Sequence, residues 1–187
     1  MQAKIKTDDI GFLSHWPPEA KEIFGFEEYE VNGWYLGVFI HSIEKMDDEK
    51  RKSLGLEHIL DRIIEKKEKI SFSTINIRSD LKAFYNTVEI VPDEEGTTAN
   101  IIKGDDTDDI KRYNELIDSK SEFPLVVSSR KGRIFGVNDK FAIMAKFNRM
   151  RLINRPLGLS EEATIIDLAE MFDSLDGLLL IWPSQER

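Results

Sequence analysis

Apolar residues recur every three or four positions in three stretches of the chain, and this spacing predicts amphipathic helices. The first stretch lies at 48–67, and the other two follow Thr107 and Ser160. Threonine and serine are both residue types that cap helices. A shorter helix is predicted between Pro17–Pro18 and Gly25, because proline is tolerated at a helix start and glycine at its left-handed end. We therefore expect about four helices.

Alternating or continuous apolar runs predict the strands. The strongest hairpin signal is Asn32–Gly33, the pair preferred in type I′ turns, which stands between 29–31 and the aromatic and β-branched run 34–40. Residues 140–153 fit both a helical and a strand period, and their composition favours a helix. Further strands are predicted at 70–79, 84–91, 123–129, 133–137 and 178–182.

The order of these elements predicts the fold class. Strands and helices follow one another without a regular strand–helix–strand rhythm, which favours an α+β fold with a mixed, mainly antiparallel sheet. The length of 187 residues suits a single domain, 1–187. The segment 92–106 is rich in glycine, threonine and acidic residues, so we predict an exposed loop there, which would be the boundary of a two-lobed arrangement.

The composition narrows the class of protein. With 41% hydrophobic residues, the chain can bury enough apolar surface to fold. It contains no cysteine, which excludes disulfides, thiolate metal sites and a cysteine nucleophile, and favours a reducing, cytoplasmic location. Its apolar runs are too short to cross a bilayer and its N-terminus lacks the apolar segment of a signal peptide, so no membrane contact is expected.

Few residues point to catalysis or to a cofactor. The Walker phosphate loop and the G-x-G-x-x-G fingerprint are absent, and the residues after Asp105 break the EF-hand spacing, so we predict neither a cofactor nor a metal. His41 is the best catalytic candidate among the histidines, because it follows the predicted strand 34–40 and active-site residues often lie at strand ends. No triad spacing supports it, so a protein without enzymatic activity is favoured.

The charges are distributed unevenly. The chain has a net charge of −9, but residues 130–155 hold eight basic residues and one acid, which leaves −16 for the remainder. Phe135, Phe141 and Phe147 are interleaved with the basic residues. Such a segment can clamp phosphates and stack bases. It can equally pair with the acidic residues at 93–109 while its phenylalanines fill a core.

The acidic majority of the chain supports the leading hypothesis of function. Complementary charge speeds association and selects partners, so we predict a protein-binding module, of the inhibitor or immunity type, for a partner with a basic surface. The small, acidic, cysteine-free α+β profile resembles bacterial immunity proteins and phage-encoded inhibitors, although no motif carries the likeness. The residues predicted to bind are Asp93, Glu94, Glu95, Asp105, Asp106, Asp108 and Asp109.

Two alternatives stay open. The first is a protein or enzyme that binds a nucleotide or nucleic acid through the segment 130–155, with His41 or the acids at 93–109 assisting. The second is an oligomerising domain, in which the strand 178–182 lies at a sheet edge and pairs with a second copy. The candidate polyanion-binding residues are Arg130, Lys131, Arg133, Lys146, Arg149 and Arg151.

Overall fold

A computed structural model describes residues 1–40, 67–129, 132–153, 155–157, 163–168 and 177–183. The chain divides into two compact units. Unit 1 comprises Met1–Asn76 and Tyr85–Asp105, and unit 2 comprises Ile77–Phe84 and Asp106–Arg187. The predicted helix at 48–67 lies almost entirely outside the described residues, as do His41 and His58.

Unit 1 is built on a five-stranded sheet with the strand order β2-β1-β5-β4-β3. The strands β1, β5 and β4 pair antiparallel. Within residues 16–40, three short helical elements follow β2, and the third of these is a 3₁₀ turn at Leu36–Val38. The described elements are β1 (Gln2–Thr7), β2 (Leu13–His15), α1 (Pro18–Phe24), α2 (Glu28–Val31), β3 (Ile70–Ile77), β4 (Ala83–Pro92) and β5 (Thr97–Lys103).

One face of this sheet is buried and the other is polar. Every second residue of β1 is buried, whereas Lys4 and Lys6 between them are exposed, as the two-residue period of a strand requires. Helix α1 packs against β1. Two rows of directly opposite, buried side chains cross β1, β5 and β4: Ala3–Ile101–Val88 and Ile5–Ala99–Ile90.

Unit 2 contains a four-stranded antiparallel sheet with the order β7-β6-β9-β8. Its core joins this sheet to α4, where the rings of Phe141 and Trp182 lie 5.0 Å apart. The described elements are α3 (Asp108–Ser119), β6 (Leu125–Ser129), β7 (Ile134–Val137), α4 (Asp139–Ala145), α5 (Arg149–Leu152), β8 (Thr164–Asp167) and β9 (Gly177–Ile181).

The predicted α+β class with mainly antiparallel sheets is confirmed. Local signals located two helix ends: the Thr107 side chain accepts a hydrogen bond from the Ile110 N–H, and Gly25 ends α1 with φ 78°. Residues 140–153 are helical within α4 and α5, as their composition indicated. No helix in the described part of the chain combines the length and apolar character that crossing a bilayer needs.

The hairpin predicted around Asn32–Gly33 is wrong. Residues Glu28–Val31 form α2 instead, stabilised by a capping box in which the Glu27 and Glu30 side chains each accept from the other's backbone N–H. Gly33 follows this helix with φ 76°. A positive φ suits a type I′ turn and a helix end alike, so the Asn–Gly pair did not distinguish them.

The exposed loop predicted at 92–106 is also wrong, because β5 occupies most of it. Its glycine, threonine and acidic residues suggested a loop, yet Thr97, Ala99 and Ile101 alternate inward and are buried. Only the turn at 93–96 and residues 104–106 lie outside the strands. The prediction of one domain with two lobes is not decided by this correction and stays a prediction.

The last predicted helix, after Ser160, is wrong where it is described. Residues Thr164–Asp167 form β8, and Ile165 lies opposite Leu180 of β9. Strand β9 is consequently hydrogen-bonded on both sides, to β6 and to β8. It therefore offers no free edge to a second copy, which removes the proposed pairing through residues 178–182.

Candidate functional site

The acidic residues at 93–95 shape a turn. The Asp93 carboxylate accepts hydrogen bonds from the Glu94 N–H at 2.7 Å and the Thr98 hydroxyl at 2.9 Å, and lies 3.4 Å from Lys6 Nζ. The bond from Glu94, then that from Thr98 and the charge of Lys6, hold the pKa of Asp93 below its usual range. Asp93 thus joins β4 to β5, while Glu94 and Glu95 are exposed beside it.

The second acidic group lies at the start of α3. Asp108 and Asp109 pair with Lys111 at 3.2 Å and Arg112 at 3.8 Å, each three residues along the same helix. Acids at a helix start are also favoured by the helix dipole. Asp105 is exposed and Asp106 partly buried just before this helix. No three His, Asp or Glu side chains within the described residues are grouped as a metal ion would require.

The described basic residues of the segment 130–155 lie in different surroundings, and the binding role predicted for them as an alternative stays a prediction. Arg149 Nη1 donates to the Ser79 carbonyl at 3.1 Å, and Phe141 is buried in the core of unit 2. Lys146 and Arg151 are exposed, Arg133 is partly buried, and Arg130 and Lys131 lie outside the described residues. Arg149 and Phe141 therefore hold the fold together.

A different pair of residues stands out in unit 1. Asn76 on β3 and Asn86 on β4, neighbouring strands of the sheet, both have fully buried side chains. In each of them the Nδ2 and the Oδ1 lack any hydrogen-bond partner within the described structure. We name Asn76 and Asn86 the amide pair.

Strand geometry explains why the amide pair points inward. Asn86 alternates with Thr87, and Thr87 Oγ1 lies 3.1 Å from Ser73 Oγ on the exposed side of β3 and β4. Asn86 therefore shares the buried face with Val88, and Asn76 shares the face opposite to Ser73. Thr74, also buried, lies on the same face as Asn76 and donates to the Ile75 carbonyl at 3.3 Å.

The amide pair is costly for a folded protein. Each buried polar group without a partner costs about 1–3 kcal/mol, and the two carboxamides present four such groups. Native proteins contain few groups of this kind, and each one calls for a water, a ligand or a functional role. A carboxamide carries no charge and offers both donors and an acceptor, so these residues suit a neutral polar ligand better than an ion.

The amide pair was not predicted from the sequence. Asparagine is common in turns and caps, so its presence alone is a weak signal. A usable signal was nevertheless present in β4, where Phe84, Asn86, Val88 and Ile90 occupy one face and three of the four are apolar. An asparagine in phase with the apolar face of a strand indicates a buried carboxamide.

Sequence comparison finds no matching family model and no matching curated protein. Among solved structures, the chain is similar to the PAS domain of histidine kinase ThkA, with 19% identity and a TM-score of 0.36, over 54% of this chain and 97% of that one. It is also similar to an RNA-binding Light-Oxygen-Voltage receptor, with 19% identity, a TM-score of 0.41 and coverage of 64% and 33%. A blue-light activated histidine kinase from Erythrobacter litoralis is similar as well, with 16% identity and a TM-score of 0.40, over 65% of this chain and 39% of that one.

These findings correct the predicted function. The names of the matched structures describe PAS and Light-Oxygen-Voltage domains of kinases and receptors, and the prediction of an inhibitor or immunity-type protein is wrong. The nucleic-acid alternative through residues 130–155 is wrong as well. Two residues of this segment are unavailable to a nucleic acid, because Arg149 donates to a backbone carbonyl and Phe141 is buried in the core.

Proposed function

We propose that unit 1 binds a small, neutral, polar molecule on the buried face of its sheet, and that the amide pair supplies the hydrogen bonds. The observation that carries the proposal is the absence of any described partner for the four polar groups of Asn76 and Asn86. A bound molecule with both donors and acceptors would satisfy these groups and offset their desolvation.

The chemistry of the amide pair favours binding without turnover. Carboxamides neither donate nor accept a proton at neutral pH, and they are weak nucleophiles. Thr74, which shares their face, has its hydroxyl directed at a backbone carbonyl. We therefore propose that unit 1 is a ligand-binding module and not an enzyme.

Ordered water is the competing occupant of such a site, since buried waters commonly bond to two to four polar groups. The two occupants differ in their response to added compounds. A site that holds only water gives no concentration-dependent response to an added compound. An exchangeable ligand, in contrast, raises the melting temperature as its concentration increases. This difference defines the experiment.

The test is a thermal-shift screen of neutral heterocycles, amides and polyols. We expect at least one compound to raise the melting temperature of the wild-type chain and to lose this effect in Asn76→Leu and Asn86→Leu. Asn100→Leu is the matched control, because Asn100 lies in the same sheet on the opposite face and donates to Glu89 at 3.2 Å. The control should keep the shift.

The proposal fails if no compound stabilises the wild-type chain, or if the shift persists in both leucine variants. A shift lost equally in Asn100→Leu would also count against it, since the effect would then follow from general damage to the sheet. A protein partner with a basic surface and a cytoplasmic location stay predictions from the net charge of −9 and the lack of cysteine.

A further inference from the structure

The corner that joins α4 to α5 in unit 2 leaves two large apolar side chains exposed. Ile143 is 70% exposed and Phe147 is 58% exposed, the highest values among the large apolar side chains described in this unit. Single apolar residues are common on protein surfaces, so exposure alone indicates little. These two residues differ from such cases in the backbone that connects them.

Helix α4 ends at a lysine in the left-handed conformation. Lys146 has φ 58°, and its N–H donates to the Ile143 carbonyl at 3.1 Å. The next N–H, that of Phe147, donates to the Ala142 carbonyl at 3.1 Å. These two bonds form the Schellman motif, in which the left-handed residue is usually glycine and the residue after it often packs against the end of the helix. Here the first place holds lysine, and the second holds a mostly exposed phenylalanine.

Both departures from the usual motif lower the stability of the folded chain. Glycine would adopt the conformation of Lys146 without strain, whereas a side chain with a Cβ is strained in it. The exposed ring of Phe147 forgoes burial that would stabilise the fold. Strain of this kind is concentrated at functional sites. What the chain gains is a cation directly beside an exposed aromatic ring.

Further cations flank the apolar pair. Lys140 is exposed and lies one helical turn before Ile143 on α4. Lys146 and Arg151 are exposed as well, and neither forms an ion pair with another residue that the structure describes. Asp139, the one acid of α4 and α5, lies 3.9 Å from an arginine of the same region. The apolar pair is therefore surrounded by a net positive charge.

We propose that Ile143, Lys146, Phe147 and Arg151, which we name the corner surface, bind a protein segment whose apolar side chains stand next to carboxylates. The apolar side chains of the segment cover Ile143 and Phe147, and its carboxylates pair with the two cations. A second copy of the chain does not fit, because pairing through this surface would bring like charges together. The inference concerns unit 2 alone and is independent of the ligand proposed for unit 1.

The test is a phage library of random linear peptides, selected on the immobilised full chain. We expect the enriched peptides to combine Asp or Glu with aliphatic or aromatic residues. A synthetic peptide of enriched sequence should bind Ile143→Gln and Phe147→Gln about tenfold more weakly than the wild-type chain. Its affinity should also fall as the salt concentration rises.

Two variants of unit 2 are matched controls, and both should bind the peptide with unchanged affinity. Ile165→Gln removes another exposed apolar side chain, 44% exposed on β8. Lys111→Gln removes an exposed cation of α3. A third variant separates binding from folding. Lys146→Gly should raise the melting temperature, because glycine relieves the strain, and should weaken peptide binding about threefold, because the cation is lost.

The inference is overturned if no peptide is enriched, or if the enriched peptides lack acids. Equal binding of the peptide to the wild-type chain and to Phe147→Gln would overturn it as well. Vesicles of phosphatidylcholine with phosphatidylserine test the other surface that such residues could contact. Sedimentation of the wild-type chain with these vesicles, lost in Phe147→Gln, would assign the corner surface to a membrane and contradict the proposal.

Discussion

Four asparagines of this chain are used in two contrasting ways. Asn114 and Asn138 in unit 2 are partly buried, and their carboxamides make two and three hydrogen bonds to backbone groups. Asn76 and Asn86 in unit 1 are fully buried and make none within the described structure. The same side chain thus stabilises the fold in one region and costs stability in the other.

The difference follows from what the backbone needs at each place. Asn114 and Asn138 meet backbone groups at the start of a strand and at the start of a helix, where the regular ladder has not yet begun. Asn76 and Asn86 lie within strands, where sheet partners already satisfy the backbone. Within the described residues their carboxamides have no hydrogen-bond partner, which is why we propose that a ligand binds there.

The largest effect is expected from Asn138→Leu. This change leaves the Leu125 N–H, the Phe141 N–H and the Phe123 carbonyl without their partner, and should lower the free energy of unfolding by about 3–5 kcal/mol. Urea denaturation of the two chains measures it. A loss below about 1 kcal/mol would show that water replaces the side chain and that the contrast between the two pairs is overstated.

The opposite sign is expected at the amide pair. In protein stripped of ligand by unfolding, dialysis and refolding, Asn76→Leu and Asn86→Leu should each raise the free energy of unfolding by about 1–3 kcal/mol, because leucine has a similar shape and no unpaired polar group. A loss of stability in this stripped protein would mean that the carboxamides have partners within the chain.

Tyr113→Phe tests the turn that precedes Asn86. Removing the hydroxyl leaves the buried Leu81 carbonyl without its donor and should cost about 1–2 kcal/mol, measurable by urea denaturation. If Leu81 keeps its buried conformation at no cost, the hydroxyl does not hold the turn.

The same tyrosine predicts a dependence on pH. Burial raises the pKa of Tyr113 well above its usual range, since the phenolate would be desolvated. The folded chain therefore binds this proton more tightly than the unfolded chain. Its contribution is fully present below pH about 10 and is lost as the pH rises further, so the wild-type chain should lose its advantage over Tyr113→Phe in alkali.

The smallest effect is expected from Asp93→Asn in the exposed turn. The pKa of Asp93 is lowered, so its charged form stabilises the folded chain above the unfolded pKa of about 4 and ceases to do so as the pH falls through the folded value. Melting curves of both chains should differ slightly at neutral pH and converge in acid. A difference that grows in acid would contradict this assignment.

The sequence predicted best those elements whose signals are local. A threonine cap with acids behind it located α3, and paired prolines with a glycine located α1. The strand β5 was missed because glycine, threonine and acidic residues around it indicated a loop, and only its pairing with β1 and β4 shows which side is buried. Residues 164–167 were assigned a helix because apolar residues recur at helical spacing after Ser160, whereas their strand partner β9 lies more than ten residues further along the chain.

The candidate site was harder to predict than the fold. The acidic and basic clusters were singled out because of their many charges, yet Asp93 bonds within its own turn and Arg149 bonds to the backbone carbonyl of Ser79. The amide pair consists of two neutral residues on different strands, so no motif joins them. The one signal in the sequence was that Asn86 alternates in step with the apolar residues of β4 and therefore lies on their face.

The most direct measurement is native mass spectrometry of the chain purified from its own host, under conditions that keep non-covalent complexes intact. We predict one small molecule bound per chain, and bare chain for the Asn76→Leu/Asn86→Leu double variant, while Asn100→Leu keeps the molecule. Bare wild-type chain, or a molecule retained by the double variant, would contradict the assignment of the amide pair to a ligand.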